Sequence, residues 1–557
     1  MEHTRRLFTI ATSLVPFALC AQLSLSWASA HQGVGADAGQ CTAFSNSATV
    51  FVAGNFTDAI DLRPDVGGGE LTANGPGVYI ARYSISGFYG MAGSLGSTGT
   101  IAVKAMDATT SGFVITGCFS GIADLDPDGD SFPLLSNGAT DAFVAAYDHD
   151  LHLLWAKAIG GPGTDVGTAL AVDDLGNIYL GGTFENGFTL VNDGTTFTIN
   201  SNGGADGMLG YLGANGSLLW LKAFGGSGDE TLTALSPGVG DVAVIGSFTG
   251  TMDIDPGTDV HQLTSEGMND IYFGIFSNYG AMTTGSAYGG IEDDLGVDVA
   301  FDAVYGWLLA CTFKGSLVLG NGIADMTSAG EADMLVICRN SGGFLYWANQ
   351  IGSAANDRPI AIEVQDFYHY FLVGEFNADL TTGAAFINQG GSDLVMIAMD
   401  NNGDTQQSFS IGGAGDELCH GTSVNGQGQI LITGSLTGDV DFDPTGGTTM
   451  LYAGSPPDGF IAMYDAANVG IHDTPPYASI PYPNPASDQL RIPIGGMNGI
   501  ATLTITDLTG RTVSAQQVTL ANELLIVDVD GIANGTYSFT LQFATGRSTS
   551  FNVVISK

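Results

Sequence analysis

Residues 244–248 read Val-Ile-Gly-Ser-Phe, and this short pattern, written V-x-G-x-F, is the most informative feature of the chain. It occurs in seven copies at nearly constant spacing, with a small residue at the centre of each copy. The central residues are Gly54, Gly117, Gly182, Gly246, Cys311, Gly374 and Gly434. A nearly constant period, counted seven times, indicates a radial or solenoid repeat architecture.

Each repeat contains two further recurring segments. An apolar run, usually opened by aspartate, follows the central glycine at a similar distance in every repeat, as in residues 141–147, Asp-Ala-Phe-Val-Ala-Ala-Tyr. A third segment, Trp-x-Lys-x-hydrophobic-Gly-Gly, occupies residues 155–161 and 220–226 and has weaker copies elsewhere. All these runs are short, rich in β-branched and aromatic residues, and bounded by Gly, Asn, Asp or Pro, which is typical of strands joined by tight turns. Four strands per repeat predict an all-β chain built on a seven-bladed β-propeller.

The three segments resemble the secreted SBBP propeller repeats of Bacteroidetes-type bacteria. That consensus combines G-x-F-x-G-T-x-D-F-D-P, D-x-F-V-A-K-Y-D and W-A-K-x-I-G-G, and the likeness covers most of residues 33 to 470. The resemblance implies a propeller over residues 31–470. It implies no particular activity, because the fold carries enzymes, lectins and scaffolds alike.

The last repeat has no Trp-type segment of its own, because the pattern stops after Asp465. A propeller usually closes by taking one strand from the other end of the chain, and residues 32 to 48 are the candidates for that strand. The alternative is that the seventh blade has only three strands.

The first thirty residues have the features of a signal peptide. Arg5 and Arg6 precede an apolar run, and Ala28-Ser29-Ala30 supplies small residues for cleavage before His31. No other stretch is long and charge-free enough to span a bilayer. The sequence therefore predicts a signal peptide at residues 1–30 and no transmembrane segment in the mature chain.

The C-terminal part differs in kind from the repeats. A Pro-containing linker at residues 471–480 leads to a series of segments with alternating strand pattern, which predicts a small Ig-like β-sandwich at residues 481–557. This segment is similar to the type A C-terminal sorting domain of type IX secretion cargo. The matching landmarks are Tyr482, Pro483, Asn484 and Pro485 at its start, Asp507 and Gly510 in a turn, and Gly535, Tyr537 and Lys557 at its end. The resemblance implies export through the outer-membrane type IX machinery, with release or attachment at the cell surface; the alternative is an ordinary Ig-like stalk domain.

The net charge of the chain limits the classes of partner that it can bind. The chain has 57 acidic and 14 basic residues, a net charge of −43, which disfavours nucleic acid and anionic lipid surfaces. Five cysteines remain after position 30, an odd number at irregular spacings that implies no disulfide framework. Cys41 and Cys419 precede the glycine segments of the first and last repeats, so a disulfide between these adjoining blades is left open.

Acidic turns follow several of the glycine segments and are the candidate metal site. Two carboxylates held two residues apart by a proline turn suit an oxygen-seeking cation such as Ca²⁺. The turns contain Asp124 and Asp126, Asp253 and Asp255, and Asp441 and Asp443. The alternative, which the repetition favours, is that these aspartates accept backbone N–H bonds and shape the turn. The aspartates that open the second strand are interpreted in the same way, as turn-capping residues. No other cofactor is predicted.

Catalytic motifs are not apparent, since no metal-binding histidine spacing, nucleophile elbow, phosphate loop or dinucleotide fingerprint occurs. The sequence therefore predicts an extracellular or cell-surface propeller that acts as a non-catalytic binding or adhesion scaffold for a glycan or protein ligand. The alternative is an extracellular polysaccharide hydrolase or lyase built on the same fold.

Overall fold

The computed structural model describes residues 23–45, 49–64, 66–129, 132–320, 323–366, 369–382, 384–454, 457–465, 489–493, 499–507, 511–520, 524–543 and 548–557. These residues form strands, turns and bends and contain no helix, so the all-β prediction is confirmed. The chain divides into two compact units, one spanning residues 22–467 and one that includes residues 468–557. The predicted linker, residues 471–480, lies outside the described part of the chain.

The strands of the first unit fall into seven antiparallel groups of four within the described residues. We number these groups as sheets 1 to 7 and call their successive strands a to d. Sheet 1 contains Ala38–Ser45, Thr49–Asp61, Glu70–Ser84 and Tyr89–Ser97. Sheet 2 contains Ile101–Thr109, Gly112–Phe119, Asp141–Asp148 and Leu153–Ile159. Sheet 3 contains Val166–Val172, Ile178–Glu185, Ala205–Leu212 and Leu218–Gly226.

The remaining sheets repeat the same order. Sheet 4 contains Glu230–Pro237, Asp241–Phe248, Asp270–Ser277 and Met282–Tyr288. Sheet 5 contains Leu295–Asp302, Gly306–Leu317, Met326–Arg339 and Leu345–Ile351. Sheet 6 contains Asp357–Asp366, His369–Phe376, Asp393–Asp400 and Thr405–Ile411. Sheet 7 contains Glu417–Val424, Gln429–Leu436, Asp458–Asp465 and, as its strand d, Ser24–Gly33.

Short hairpins extend the connections between strands b and c. They pair Ile122–Asp124 with Pro133–Leu135, Phe188–Asn192 with Thr195–Ile199, Thr251–Asp253 with Gln262–Thr264, Leu380–Thr381 with Ala385–Phe386, and Asp439–Asp441 with Met450–Tyr452. Strand a of each sheet lies beside strand a of the next, and strand a of sheet 7 lies beside strand a of sheet 1. The hydrophobic core lies between neighbouring sheets, where Phe51 of sheet 1, for example, contacts Phe113 of sheet 2.

The repeated glycine lies in strand b, where the neighbouring strand a approaches closely. A Cβ atom added to Gly246 would lie 1.8 Å from the Thr231 carbonyl oxygen, and one added to Gly434 would lie 1.8 Å from the Leu418 carbonyl oxygen. No side chain can occupy such a space without moving the neighbouring backbone. The repeated glycine pattern therefore reflects the close packing of the strand b backbone against strand a.

The N-terminal strand completes sheet 7, but through different residues from those predicted. Residues 24–31 pair antiparallel with residues 459–465, whereas the predicted segment, residues 32–48, supplies strand a of sheet 1 and the turn before it. The prediction that the N-terminus supplies the strand is confirmed, and the predicted position is wrong, because the pairing segment lies upstream of it. The predicted cleavage before His31 would cut this strand in two, because the strand runs from Ser24 to Gly33.

Trp27 explains the placement of this strand. The indole N–H of Trp155, Trp220 and Trp347 in strand d each donates to a backbone carbonyl in the c–d turn of the next sheet, at 2.9 to 3.2 Å. Trp27 makes the same bond to the Ile85 carbonyl oxygen at 3.0 Å, and its ring lies against Gly87. The N-terminal strand is thus the missing Trp-type segment, displaced to the other end of the chain.

The C-terminal unit contains two small antiparallel sheets. Gln489–Pro493 pairs with Leu524–Asp528, and a second sheet orders Thr512–Leu520, Gly499–Asp507, Gly535–Phe543 and Ser548–Ile555. Their apolar side chains form one core that includes Leu503, Phe539 and Val553. Alternation of buried and exposed residues along these strands gives each sheet one apolar face.

Candidate functional site

Strand a carries a β-bulge at the same position in every sheet. The register with strand b shifts by one residue at Gln40, Lys104, Thr168, Thr233, Val297, Ile360 and His420. A bulge inserts one unpaired residue into a strand and re-aims its side chain, and bulges are frequent beside binding sites. The bulge residues differ from sheet to sheet, although the surrounding framework repeats.

A cavity of about 300 Å³ lies at the C-terminal ends of these seven strands, and every strand a contributes to its lining. Its only charged lining residues are Asp107, Asp298 and Glu363, and hydroxyl groups such as that of Thr422 complete the polar part. We call this space the acidic cavity. Residues from all seven sheets line it.

The three carboxyl groups of the acidic cavity are held by hydrogen bonds. Asp107 accepts the Val172 backbone N–H at 2.7 Å, and Asp298 accepts the Ile362 backbone N–H at 2.8 Å. The Thr422 hydroxyl donates to Glu363 at 3.0 Å. These bonds join each carboxyl group to the neighbouring sheet and fix its position in the cavity wall.

Burial changes the protonation of these groups. It raises the pKa of Asp107 and that of Asp298 to about 6, with backbone hydrogen bonds acting in the opposite direction. Burial, followed by the charge of Asp298, raises the pKa of Glu363 to about 8. Two carboxyl groups with separated pKa values in one cavity can act as a hydrogen-bond donor and an acceptor at neutral pH.

A second cavity of about 310 Å³ lies nearer the N-terminal ends of the inner strands and differs in charge. Its lining includes Gln40, Arg358 and His420 and no carboxyl group. Arg358 pairs with Glu375 at 2.7 Å. Burial, then the charges of Arg358 and Lys104, lowers the pKa of His420 to about 4. The second cavity is lined by sheets 1, 5, 6 and 7 only, and it lacks the carboxyl groups of the acidic cavity.

The predicted metal residues lie apart from one another, in three separate b–c connections. In each turn the first aspartate accepts two backbone N–H groups, as Asp253 does from Asp255 and His261 at 3.1 and 2.9 Å. Asp124 and Asp441 make the equivalent bonds. The second aspartates, Asp126, Asp255 and Asp443, each accept the N–H of the residue two positions later. This geometry is the turn-forming arrangement that was the favoured interpretation; Ca²⁺ binding by these residues stays a prediction.

The aspartates that open strand c cap the preceding turn, as predicted. Asp206 accepts the Asn202 backbone N–H at 2.8 Å, and Asp270 accepts that of Glu266 at 2.9 Å. The acid before or at the start of strand a makes a matching bond, as Glu230 does with the Gly226 N–H at 2.9 Å. None of the acids that make these bonds lines the acidic cavity.

Cys41 and Cys419 lie in the neighbouring strands a of sheets 1 and 7, as their spacing suggested. Both are buried and are free thiols. Burial raises the pKa of the Cys41 thiol well above its usual range and that of Cys419 to about 12. Thiols that stay protonated are poor nucleophiles and poor metal ligands, so these residues serve packing.

The landmarks of the sorting domain are only partly within the described residues. Tyr482, Pro483, Asn484, Pro485 and Gly510 lie outside them. Asp507 pairs with Tyr537 across adjacent strands, and the Tyr537 hydroxyl donates to the Ala533 carbonyl oxygen at 3.0 Å. The Lys557 backbone N–H donates to the Asn534 side chain at 2.9 Å, which ties the terminal residue to the loop before Gly535. The last landmarks therefore converge at one end of the second sheet.

Family models match two parts of this chain. Residues 481–556 match the secretion system C-terminal sorting domain, and residues 154–183 match a β-propeller repeat of the SBBP type. The chain carries a type IX sorting domain. This domain indicates export and either attachment to the cell surface or release as an extracellular protein. Among the described residues, no helix has the length and apolarity that membrane spanning requires.

Comparison with known proteins gives the fold no finer assignment. No curated protein matches the sequence. Sqt1 from Chaetomium thermophilum is 12% identical, with 74% of this chain and 97% of that chain covered and a TM-score of 0.32. The extracellular domain of the putative one component system BT4673 from B. thetaiotaomicron is 10% identical over 96% of this chain and 98% of that chain, with a TM-score of 0.16. Dimeric latent PorU from Porphyromonas gingivalis is 11% identical over 73% and 36%, with a TM-score of 0.13. Scores this low carry no structural argument.

Proposed function

We propose that this protein is a seven-bladed β-propeller exported by type IX secretion, and that it acts as a non-catalytic binding scaffold whose ligand contacts the acidic cavity. One observation carries the proposal. Tryptophans, glycines and turn aspartates recur in most sheets, whereas carboxyl groups line the acidic cavity from sheets 2, 5 and 6 only. A ligand that contacts the repeats unequally is expected to bind where side chains that differ between the repeats face one shared space.

The chemistry of the cavity favours a ligand rich in hydrogen-bond donors. Asp107, Asp298 and Glu363 accept hydrogen bonds when ionised, and no basic residue lines the same space. Extracellular glycans and cationic groups on proteins present such donors. The favoured ligand class is therefore a glycan or a protein segment that carries amines or hydroxyl groups.

Binding can be tested with the exported full chain on a glycan array and by calorimetry. The triple substitution Asp107→Asn, Asp298→Asn, Glu363→Gln keeps the shape of the cavity and removes its charge. We expect this variant to lose at least tenfold in affinity for any ligand found, whereas Asp259→Asn, a change at an exposed carboxyl group, keeps full affinity. Equal affinity in the triple variant and the parent would count against the cavity as the site.

The second candidate is a polysaccharide hydrolase or lyase, and one observation favours it. Glu363 and Asp298 share a cavity, and burial leaves their pKa values at about 8 and about 6, the separation that general acid and base groups require. Turnover of a polysaccharide that is abolished by Glu363→Gln, with binding retained, would establish the enzyme. Binding without turnover supports the scaffold.

The sorting role is tested by truncation. Deletion of residues 481–557 is expected to leave the first unit folded and trapped in the periplasm. All five tryptophans lie before residue 348, so tryptophan fluorescence reports on the first unit alone in both proteins. Undiminished surface or medium levels of the truncated protein would contradict this role.

We also propose that the leader is removed upstream of Ser24 rather than before His31. Support comes from the hydrogen-bonded strand Ser24–Gly33 and from the burial of His31 between Tyr79 and Tyr83, with ring nitrogens 3.1 Å from both hydroxyl groups. Mass spectrometry of the exported protein tests this. A mature N-terminus at or after Trp27 would refute it.

A further inference from the structure

Pairs of buried carboxyl groups lie at six of the junctions between neighbouring sheets. In each pair, the acid that opens strand c of one sheet faces the acid before or at the start of strand a of the next sheet. The pairs are Asp141 with Asp165, Asp206 with Glu230, Asp270 with Asp294, Asp333 with Asp357, Asp393 with Glu417, and Asp458 with Asp37. All twelve side chains are buried. Two adjacent buried carboxylates repel strongly, so such pairs need a neutralising partner.

Glycine in strand d makes the close approach possible. A Cβ atom added to Gly225 would lie 2.1 Å from Asp206 Oδ1 and 2.5 Å from Glu230 Oε2. Both carboxyl groups of this pair therefore rest on the same backbone position. This contact explains the first glycine of the Gly-Gly dipeptide that ends strand d; a Cβ atom on the second, Gly226, would lie 1.9 Å from the Thr251 carbonyl oxygen.

The two Asp–Glu pairs differ from the Asp–Asp pairs in their unsatisfied atoms. Asp206 Oδ1 and Glu230 Oε1 are both buried without a hydrogen-bond partner, and so are Asp393 Oδ1 and Glu417 Oε1. In each Asp–Asp pair only one oxygen is in this state. Each orphaned oxygen costs free energy, and one proton placed between two of them would satisfy both.

A metal ion is a poorer partner for these sites. Within the described residues, no group of three or more His, Cys, Asp or Glu side chains is arranged to hold a metal. The glycine contacts leave the carboxyl groups packed against backbone. A hard cation such as Ca²⁺ takes six to eight oxygen ligands, which a pair of carboxyl groups on a glycine does not supply.

The titratable groups that face the two pairs carry no positive charge among the described residues. Asp229 and the buried Tyr272 face the Asp206–Glu230 pair, and Asp416 faces the Asp393–Glu417 pair. In the described part of the chain, none of these four acids forms a salt bridge with Lys, Arg or His. Burial and then the partner acid raise the pKa of Glu230 to about 7 and that of Glu417 to about 8.

We propose that Asp206 and Glu230, and likewise Asp393 and Glu417, share one proton at neutral pH, and that each shared proton joins two neighbouring sheets. The first pair joins sheet 3 to sheet 4, and the second joins sheet 6 to sheet 7. Carboxyl groups that hold protons more tightly when folded than when unfolded stabilise the fold fully at low pH. Their contribution is lost as the pH rises through the folded pKa values, so the free energy of unfolding falls between about pH 4.5 and about pH 8.

The double substitution Glu230→Gln, Glu417→Gln tests the proposal. Each amide carries a permanent N–H donor that can replace the shared proton at every pH. In the full chain, followed by tryptophan fluorescence, we expect the melting temperature of the variant to fall less between pH 5 and pH 9 than that of the parent. At pH 9 it should exceed the parent by about 3 °C. The matched control Asp259→Asn, Asp325→Asn removes two exposed carboxyl groups and should follow the parent at each pH.

Two results would overturn the proposal. The first is a double variant that melts below the parent at every pH with the same pH dependence. The second concerns the parent protein alone and does not depend on the variant folding. Infrared spectroscopy of the parent should show a protonated-carboxyl C=O band at pH 6 that disappears by pH 9, and the absence of this band at pH 6 would refute shared protons.

Discussion

Sheet 3 and sheet 7 have the same four-strand order, but sheet 3 is continuous in sequence and sheet 7 is assembled from both ends of the first unit. In sheet 3, strand c and strand d are adjacent in sequence, from Ala205 to Gly226. In sheet 7, strand c ends at Asp465 and its partner begins at Ser24. The same tryptophan bond and the same acid pair occur at both places. The repeated contacts therefore form whether or not the strands of a sheet are consecutive in sequence. Four predictions compare sheet 7 with the continuous sheets in this respect.

The largest loss of stability is expected when the residues before His31, which form most of strand d of sheet 7, are removed. Such a chain loses most of the residues that pair with Asp458–Asp465 and places a charged α-amino group on a fully buried histidine. We expect loss of cooperative melting and aggregation, because an unpaired sheet edge and an open ring end remain. A chain beginning at Leu23 is the control. Cooperative melting of both chains at the same temperature would show that sheet 7 does not need its fourth strand.

Trp27→Ala and Trp220→Ala compare the composite sheet with a continuous one directly. Each change removes a half-buried indole and its hydrogen bond to the next sheet, and each is expected to lower the free energy of unfolding by about 3 kcal/mol. Urea denaturation of the full chain measures both. Phe88→Ala, at an exposed position, should cost less than about 0.5 kcal/mol. A much smaller loss for Trp27→Ala would show that the N-terminal strand frays.

The junction between sheets 7 and 1 is expected to be stable without a disulfide bond. Cys41 and Cys419 are free, buried thiols, so a reducing agent should leave the melting temperature of the exported protein unchanged. Thiol alkylation of the unfolded, unreduced protein, followed by mass spectrometry, gives a second measure. A melting temperature lowered by reduction would establish a disulfide at the closing junction.

The smallest effects are expected in the acidic turns. Asp441→Asn in sheet 7 and Asp253→Asn in sheet 4 keep the acceptor oxygen for two backbone N–H groups and should each change stability by less than about 1 kcal/mol. Excess chelator should leave the melting curve unchanged. A chelator-dependent decrease that is removed by Asp253→Asn with Asp255→Asn would show that these turns bind metal.

The repeat could be predicted from the sequence because its defining residues meet steric requirements. Gly246 and Gly434 leave no room for a side chain beside strand a, and the constant spacing of such residues is visible without coordinates. The N-terminal strand was missed for a physical reason. Ala28 and Ala30 are small enough to fit both a cleavage site and an inter-sheet contact. Comparison of Trp27, Gly33 and Asp37 with Trp155, Gly161 and Asp165 would have placed it, because the spacings are identical.

The cavity and the acid pairs could not be predicted in the same way. The residues that line the acidic cavity change type from sheet to sheet, as Asp107, Ala171 and Glu363 do, so they gave no periodic signal. Only the strand c member of each pair was predicted, as a turn-capping residue, and its contact with the other acid crosses from one sheet to the next. A signal was present, since Asp206 and Glu230 have the same separation in sequence as the members of four other pairs.

The origin of strand d of sheet 7 also has a kinetic consequence. Ser24–Gly33 is synthesised first and Asp458–Asp465 last, so the pairing that completes the first unit closes a loop that contains nearly all of that unit. Contacts of such long sequence separation form slowly, and the edges that await them stay unpaired in the meantime. We therefore expect the newly made chain to pass through a long-lived open form, so that the supply of chaperones during transit, rather than the stability of the finished protein, limits its yield.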